Sequence, residues 1–73
     1  MEQLKEYLRL KEYSDAWVRV YTYNNLGKKV FLFGNKAKVL NLSLGFAFLD
    51  SEVLNISIYC NEIDIIIKLG DGE

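Results

Sequence analysis

The sequence predicts an α+β fold: one amino-terminal helix packed on an antiparallel sheet of four to five strands built from two β-hairpins. Three observations carry this prediction. Residues 2–13 place apolar side chains at helical spacing, residues 16–33 hold two alternating segments around a glycine-containing loop, and residues 53–69 hold two more that are rich in isoleucine. With 73 residues the chain, residues 1–73, is a single small domain.

The amino-terminal helix is predicted over residues 2–13. Leu4, Tyr7 and Leu8 share one stripe, and most of the charged side chains fall outside it. Ser14-Asp15 ends the helix. A helix of about 12 residues is marginal on its own, so we expect the sheet to hold it in place.

The first hairpin is predicted over residues 16–33. Its first strand, residues 16–23, turns Val18 and Val20 to one side and Trp17, Arg19, Tyr21 and Tyr23 to the other. A loop at residues 24–27 has the length and composition of a hairpin turn with Gly27 in a left-handed conformation. The second strand covers residues 28–33 and ends at Gly34-Asn35.

Residues 36–49 allow two interpretations. Strict alternation from Leu40 through Phe48 favours a strand with a bend or bulge at Gly45. The alternative is a short helix near residues 36–42 capped by Asn35, which gives the order α-β-β-α-β-β. Lys36 and Lys38 would oppose the helix dipole, so the extended interpretation is preferred.

The second hairpin is predicted over residues 53–69, with a turn at residues 60–62 in which Asn61 takes a positive φ. Alternation places one set of side chains on the buried side: Leu54, Ile56, Ile58, Cys60, Ile63, Ile65, Ile67 and Leu69. This isoleucine face is the predicted core, with Cys60 as a small core hydrophobe.

Composition narrows the possible chemistry. The chain has no histidine and one cysteine, so it can form neither a Ser-His nor a Cys-His nucleophile pair, nor an internal disulfide, nor a soft metal site. Glu62 and Asp64 share one face of the hairpin, and we interpret them as solvent-facing strand residues beside the turn. We expect no catalytic residues, no metal and no cofactor, and therefore a protein that is not an enzyme.

The length of the chain and its apolar segments bear on its oligomeric state and its cellular compartment. A domain this small usually supplements its core with disulfides, metal or oligomerisation, and oligomerisation alone remains, so we expect a homodimer. No apolar run approaches the roughly 20 residues that span a bilayer, and the amino terminus lacks the apolar region of a signal peptide. A single cysteine suits a reducing compartment. The sequence therefore predicts a cytoplasmic protein without membrane contact.

Charge is unevenly distributed along the chain although the net charge is −1. Residues 16–49 carry five basic and no acidic side chains, whereas residues 50–73 carry six acidic side chains and one basic side chain. We expect the basic and acidic strands to be neighbours that neutralise each other across the sheet.

The candidate binding site is the outward face of the first hairpin. Trp17, Arg19, Tyr21 and Tyr23, with Phe31 and Phe33 alongside, match the composition of protein interface hot spots. The competing interpretation is that the helix or residues 36–49 cover this face and make it a second core. Together with Lys28, Lys29, Lys36 and Lys38, the same face also has the composition of a surface that stacks single-stranded nucleic acid, although the net charge opposes this.

Several segments carry a resemblance in pattern: a short helix EQLKEYL, a V-x-V strand, Lys-Ala-Lys-Val-Leu after a glycine, and a final V-x-x-I-x-I…I-x-I-x-I. In this layout the chain resembles small phage- and prophage-encoded α+β accessory proteins, whose functions are unassigned. The alternation over residues 40–48 departs from that pattern, which has a loop or helical turn there. The resemblance implies an accessory or host-modulating role and carries over no functional residue.

These observations together predict a non-catalytic protein that binds a protein partner, of the accessory or inhibitor kind and of phage or mobile-element type. The alternative function is a single-stranded nucleic-acid-binding module that uses the sheet aromatics and lysines.

Overall fold

The computed structural model describes residues 2–69, which fold into an α+β domain with a four-stranded mixed sheet. In chain order the elements are α1 (Leu4–Leu8), a 3₁₀ turn (Lys11–Tyr13), β1 (Trp17–Tyr23), β2 (Lys29–Lys36), α2 (Ala37–Ser43), α3 (Phe46–Leu49), β3 (Glu52–Ile58) and β4 (Glu62–Lys68).

The strand order across the sheet is β2-β1-β4-β3. Each hairpin forms an antiparallel pair, but the two hairpins join through β1 and β4, which run parallel. The predicted purely antiparallel sheet is therefore wrong at its centre. A parallel junction needs a long crossover, and residues 37–51, which contain α2 and α3, carry the chain from one edge of the sheet to the other.

The core lies between the helices and one face of the central strands. Val18 and Val20 of β1 stand beside Ile63 and Ile65 of β4, and all four are at most 1% exposed. The predicted isoleucine core is confirmed for the buried side chains of β4. From the other elements the cluster receives Leu4, Leu8, Ala37, Leu40 and Leu49.

The amino-terminal segment differs from the predicted helix of residues 2–13. The α-helix covers Leu4–Leu8 only, because the residues before it are extended: the Val53 amide donates to the Glu2 carbonyl at 2.9 Å, and Gln3 bridges to Glu52. After a break at Leu10 the chain makes the 3₁₀ turn. The helix contacts α2 and α3, and Leu4 and Leu8 enter the core cluster.

Helices α2 and α3 occupy residues 37–43 and 46–49, so the preferred strand interpretation is wrong and the alternative of a short helix near residues 36–42 is correct. Ala37 and Leu40 are one helical turn apart and both are buried, which alternation would not produce. The predicted cap is wrong, because Lys36 holds the N-cap position and Asn35 belongs to β2.

Strand boundaries and turns are partly as predicted. Gly27 has a φ of 76°, which confirms its left-handed conformation. However, β2 continues through Gly34 to Lys36 instead of ending at Gly34-Asn35. Glycine excepted, residues 2–69 contain no positive φ, so the predicted conformation of Asn61 is wrong.

The buried side of the second hairpin also differs from simple alternation. The register between β3 and β4 shifts between Val53 and Asn55, so one extra residue, Leu54, leaves the pattern and is 45% exposed. Val53, instead of Leu54, packs against the core. Cys60 is exposed in the turn, which corrects its predicted role as a core hydrophobe.

Candidate functional site

The sheet has one face that no helix of residues 2–69 covers. The helices pack on the side of Val18 and Val20, and strand alternation turns the neighbouring β1 side chains the other way. We call this surface the open face. By the strand registers it presents Lys29, Phe31, Gly34 and Lys36 from β2; Trp17, Arg19, Tyr21 and Tyr23 from β1; Glu62, Asp64, Ile66 and Lys68 from β4; and Glu52, Asn55 and Ser57 from β3.

The aromatic side chains predicted from β1 are therefore not a second core within the described part of the chain. Trp17 is 43% exposed and Phe31 is 55% exposed. The rings of Tyr21 and Phe31 meet edge to face with centroids 5.5 Å apart, and the Lys29 ammonium lies 4.6 Å above the Tyr21 ring. The open face thus carries a connected aromatic cluster with a cation over it.

Phe33 does not belong to this cluster, contrary to the prediction. The pairing of β1 with β2 shifts between Val20 and Tyr21, which inserts Leu32 as an extra residue of β2. Phe31 and Phe33 therefore fall on opposite faces, and Phe33 meets Phe48 on the helix side with centroids 5.1 Å apart.

Arg19 is held at the centre of the open face by two carboxylates of β4. Its Nε donates to Asp64 Oδ1 at 2.8 Å and its Nη2 donates to Glu62 Oε1 at 2.7 Å. The hydrogen bond to Asp64 raises the pKa of Arg19 above its ordinary value. This arrangement confirms the expected neutralisation between basic and acidic strands for Arg19, whereas Lys29 and Lys36 lie on β2, which does not border β4. It also gives Glu62 and Asp64 a role that the sequence interpretation missed.

Trp17 lies close to β2 at Gly34. A Cβ atom at Gly34 would lie 3.3 Å from the indole Nε1 of Trp17 and 3.4 Å from Cγ of Arg19. A side chain at position 34 would therefore crowd the indole, which would have to shift by a few tenths of an ångström.

The predicted lysines separate in the structure. Lys29 lies on the open face, whereas Lys28 belongs to the hairpin loop and is exposed there. Lys38 is on α2, where its ammonium pairs with Asp15 at 2.9 Å, and Lys36 stands opposite Trp17. The basic side chains that the nucleic-acid interpretation combined are thus only partly brought together.

A second exposed apolar surface was not predicted, because its residues were assigned to a strand. Leu42 of α2 and Phe46 of α3 are the most exposed large apolar side chains of the helical segment, and Phe46 is 78% exposed. A helical interpretation of residues 37–49 would have placed Leu42 outside the buried stripe of Ala37 and Leu40.

The described residues also limit what the site can do chemically. Among residues 2–69 there is no group of three or more Cys, Asp or Glu side chains placed to hold a metal ion. Beside Arg19, the side chains of Tyr59, Glu62 and Asp64 line only a shallow depression.

None of the helices in this part of the chain is long and apolar enough to cross a membrane.

Comparison of the chain with protein-family models, with curated protein sequences and with solved structures gives no match.

Proposed function

We propose that this chain is a non-catalytic protein-binding protein and that the open face is its contact surface. The observation that carries the proposal is the exposure of aromatic side chains on the open face, where the Tyr21–Phe31 pair and Trp17 have no covering layer from residues 2–69. Large exposed apolar patches on a small domain mark interaction surfaces, and Trp, Tyr and Arg dominate interface hot spots.

The open face is also preorganised for binding. The two carboxylates fix the guanidinium of Arg19, and Gly34 leaves a defined space for the Trp17 indole. Side chains that are already ordered lose little conformational entropy when a partner docks, so more of the contact free energy appears as affinity.

Electrostatics favours a protein partner over nucleic acid. Arg19, the cation at the centre of the face, already binds Asp64 and Glu62, and a phosphate backbone would meet those two carboxylates. Nucleic-acid affinity depends on unpaired cations that displace counterions, and the centre of this face does not offer one.

The accessory or inhibitor role rests on the resemblance to small phage-encoded proteins, and the exposed Cys60 suits a reducing compartment such as the cytoplasm.

Single-stranded nucleic-acid binding is the second candidate. One observation favours it: Lys29 lies over the Tyr21 ring beside Phe31, which resembles a stacking platform flanked by a cation.

Photo-cross-linking from two matched positions tests the proposal. A benzophenone amino acid replaces Phe31 on the open face or Phe46 on the helix side, and each variant is irradiated in cells that naturally make the protein. We expect a discrete protein adduct from position 31 and none from position 46. The purified partner should then lose its affinity for Trp17→Ala and keep it for Phe46→Ala.

Adducts from position 46 alone would overturn the proposal, because the contact surface would then lie on the helix side. The nucleic-acid alternative is tested by fluorescence anisotropy with mixed-sequence single-stranded oligonucleotides at low salt. Binding that falls steeply with salt and is lost in Lys28→Glu/Lys29→Glu would replace the proposed function.

A further inference from the structure

We infer that the open face binds a second copy of this chain, docked face to face about a two-fold axis parallel to the strands. This inference rests on the proposed function, since it names the partner of the same surface. It follows from how the strand registers distribute charge and apolar side chains across the sheet.

The registers arrange the open face in four rows that cross the strands. In the order β2, β1, β4, β3 the two inner rows are Gly34, Arg19, Asp64 and Ser57, then Phe31, Tyr21, Ile66 and Asn55. One outer row starts with Lys36, Trp17 and Glu62, and the other is Lys29, Tyr23, Lys68 and Glu52.

The two halves of this face are complementary. The half formed by β2 and β1 carries three basic side chains and no acidic one, and it holds all four aromatic rings of the open face. The half formed by β4 and β3 carries three acidic side chains and one basic one, and its apolar centre is Ile66, which is 9% exposed. Opposite character therefore lies on either side of the line between β1 and β4.

A half-turn about an axis along that line, lying above the face, places β1 of one copy over β4 of the other and keeps every row at its own height. Tyr21 then meets Ile66 of the second copy, and Arg19 meets Asp64 of the second copy. Each contact occurs twice, as in any isologous interface. The two arginines and two aspartates form an alternating cluster in which every charge has an opposite neighbour.

The other face-to-face arrangement, with the two-fold axis across the strands, is disfavoured by the same rows. It would place each strand over its own copy and reverse the rows, so that Lys29 would face Lys36 of the second copy and the Asp64 carboxylate would face the apolar Ile66. Like charges facing each other across an interface are costly. Packed sheets cross at about 30°, so the inner rows keep the best contacts in the favoured arrangement.

The size of the face predicts a weak dimer. Four strands about 4.8 Å apart and seven residues at about 3.3 Å each give a projected footprint of about 400 Å². A standard interface buries about 800 Å² of accessible surface per partner, so this one lies near the lower end even with the relief of its side chains. We expect a monomer–dimer equilibrium in the micromolar range.

Solution mass tests the inference with two matched variants. Light scattering on the full chain over a wide concentration range should show a mass that rises from 8.5 kDa toward twice that value. Phe31→Glu should stay monomeric, and Phe46→Glu should dimerise like the wild type. Both positions are exposed, and circular dichroism verifies that both variants fold.

Thiol cross-linking tests the arrangement in a Cys60→Ser background. A mixture of Phe31→Cys and Asn55→Cys chains should be joined by a short bismaleimide, because the favoured axis places these positions opposite each other. Two Phe31→Cys chains should be cross-linked to each other only if the two-fold axis runs across the strands. Cross-linking of Phe31→Cys alone would therefore overturn the inference.

The outcomes separate this inference from the proposed function. A chain that stays monomeric at every concentration, yet forms an adduct with another protein from position 31, overturns the dimer and keeps the protein-binding face. A dimer that Phe46→Glu dissociates and Phe31→Glu does not would overturn this inference, because self-association would then use the helix side.

Discussion

Replacing Ile65 by alanine should destabilise the fold severely, whereas replacing Leu54 should not. Ile65 is 0% exposed at the centre of the sheet, between Val20 and Ile56. The change removes three carbon atoms, which contribute about 0.8 kcal/mol each by transfer alone. The cavity that remains brings the total to about 3–4 kcal/mol. Leu54 projects from the β3 bulge and is 45% exposed, so its loss should cost about 1 kcal/mol.

Stability per residue sets the scale for this difference. A domain of this length has a free energy of unfolding of roughly 4–11 kcal/mol, so Ile65→Ala removes about a quarter of it or more. Urea titration followed by circular dichroism measures both variants at high dilution, where self-association does not contribute. Equal losses for the two variants would refute the bulged register, because unbroken alternation places Leu54 and Ile65 on the same buried side.

Three further predictions follow from local features. Gly27→Ala should destabilise the chain by about 1 kcal/mol in the same titration, because φ is 76° there and a side chain is strained in that region. The hydrogen bond to Glu2 raises the pKa of Tyr7 to about 12, so its stabilising effect is complete below pH 10 and is lost as the pH rises to 12. Unfolding titrations should therefore show wild type and Tyr7→Phe converging over that interval. Cys60 should react with a thiol reagent as fast in the folded chain as in urea, because it is exposed; strong protection would place it in the core.

Local patterns in the sequence predict the two hairpins and the isoleucine core, but not how the hairpins join. Each turn lies between two alternating segments, so antiparallel pairing within a hairpin is a local property. The parallel contact of β1 with β4 depends on the path of residues 37–51 over the sheet, which no local pattern contains. The two bulges also change which face of the sheet some side chains occupy. The extra residue in β2 moves Phe33 to the helix side, and the extra residue in β3 turns Leu54 outward.

Residues 36–49 show why alternation alone misleads. The leucines at 40, 42 and 44 alternate, yet Ala37, Leu40 and Leu44 also follow helical spacing, and both periods fit the same short segment. Packing against the core favours the helical period, because α2 buries Ala37 and Leu40 and leaves Leu42 exposed.

The candidate site was predictable only where it depends on residues that are close in sequence. Alternation within β1 places Trp17, Arg19, Tyr21 and Tyr23 on one face, and the structure has them there. The partners of Arg19 come from β4, which is 45 residues away in sequence at Asp64, so only the charge imbalance between the two halves of the chain hinted at them. Ile66, the apolar centre of the second half of the open face, gave no separate signal.

Fluorescence quenching of Trp17 tests whether the open face is uncovered and serves as a contact surface. Trp17 is the single tryptophan of the chain, so its emission reports on this surface alone. We predict that iodide and acrylamide quench it readily in dilute solution, and that high protein concentration protects it in the wild type and not in Phe31→Glu. Emission that is shifted to the blue and protected at every concentration would contradict this, since the face would then be covered within one chain.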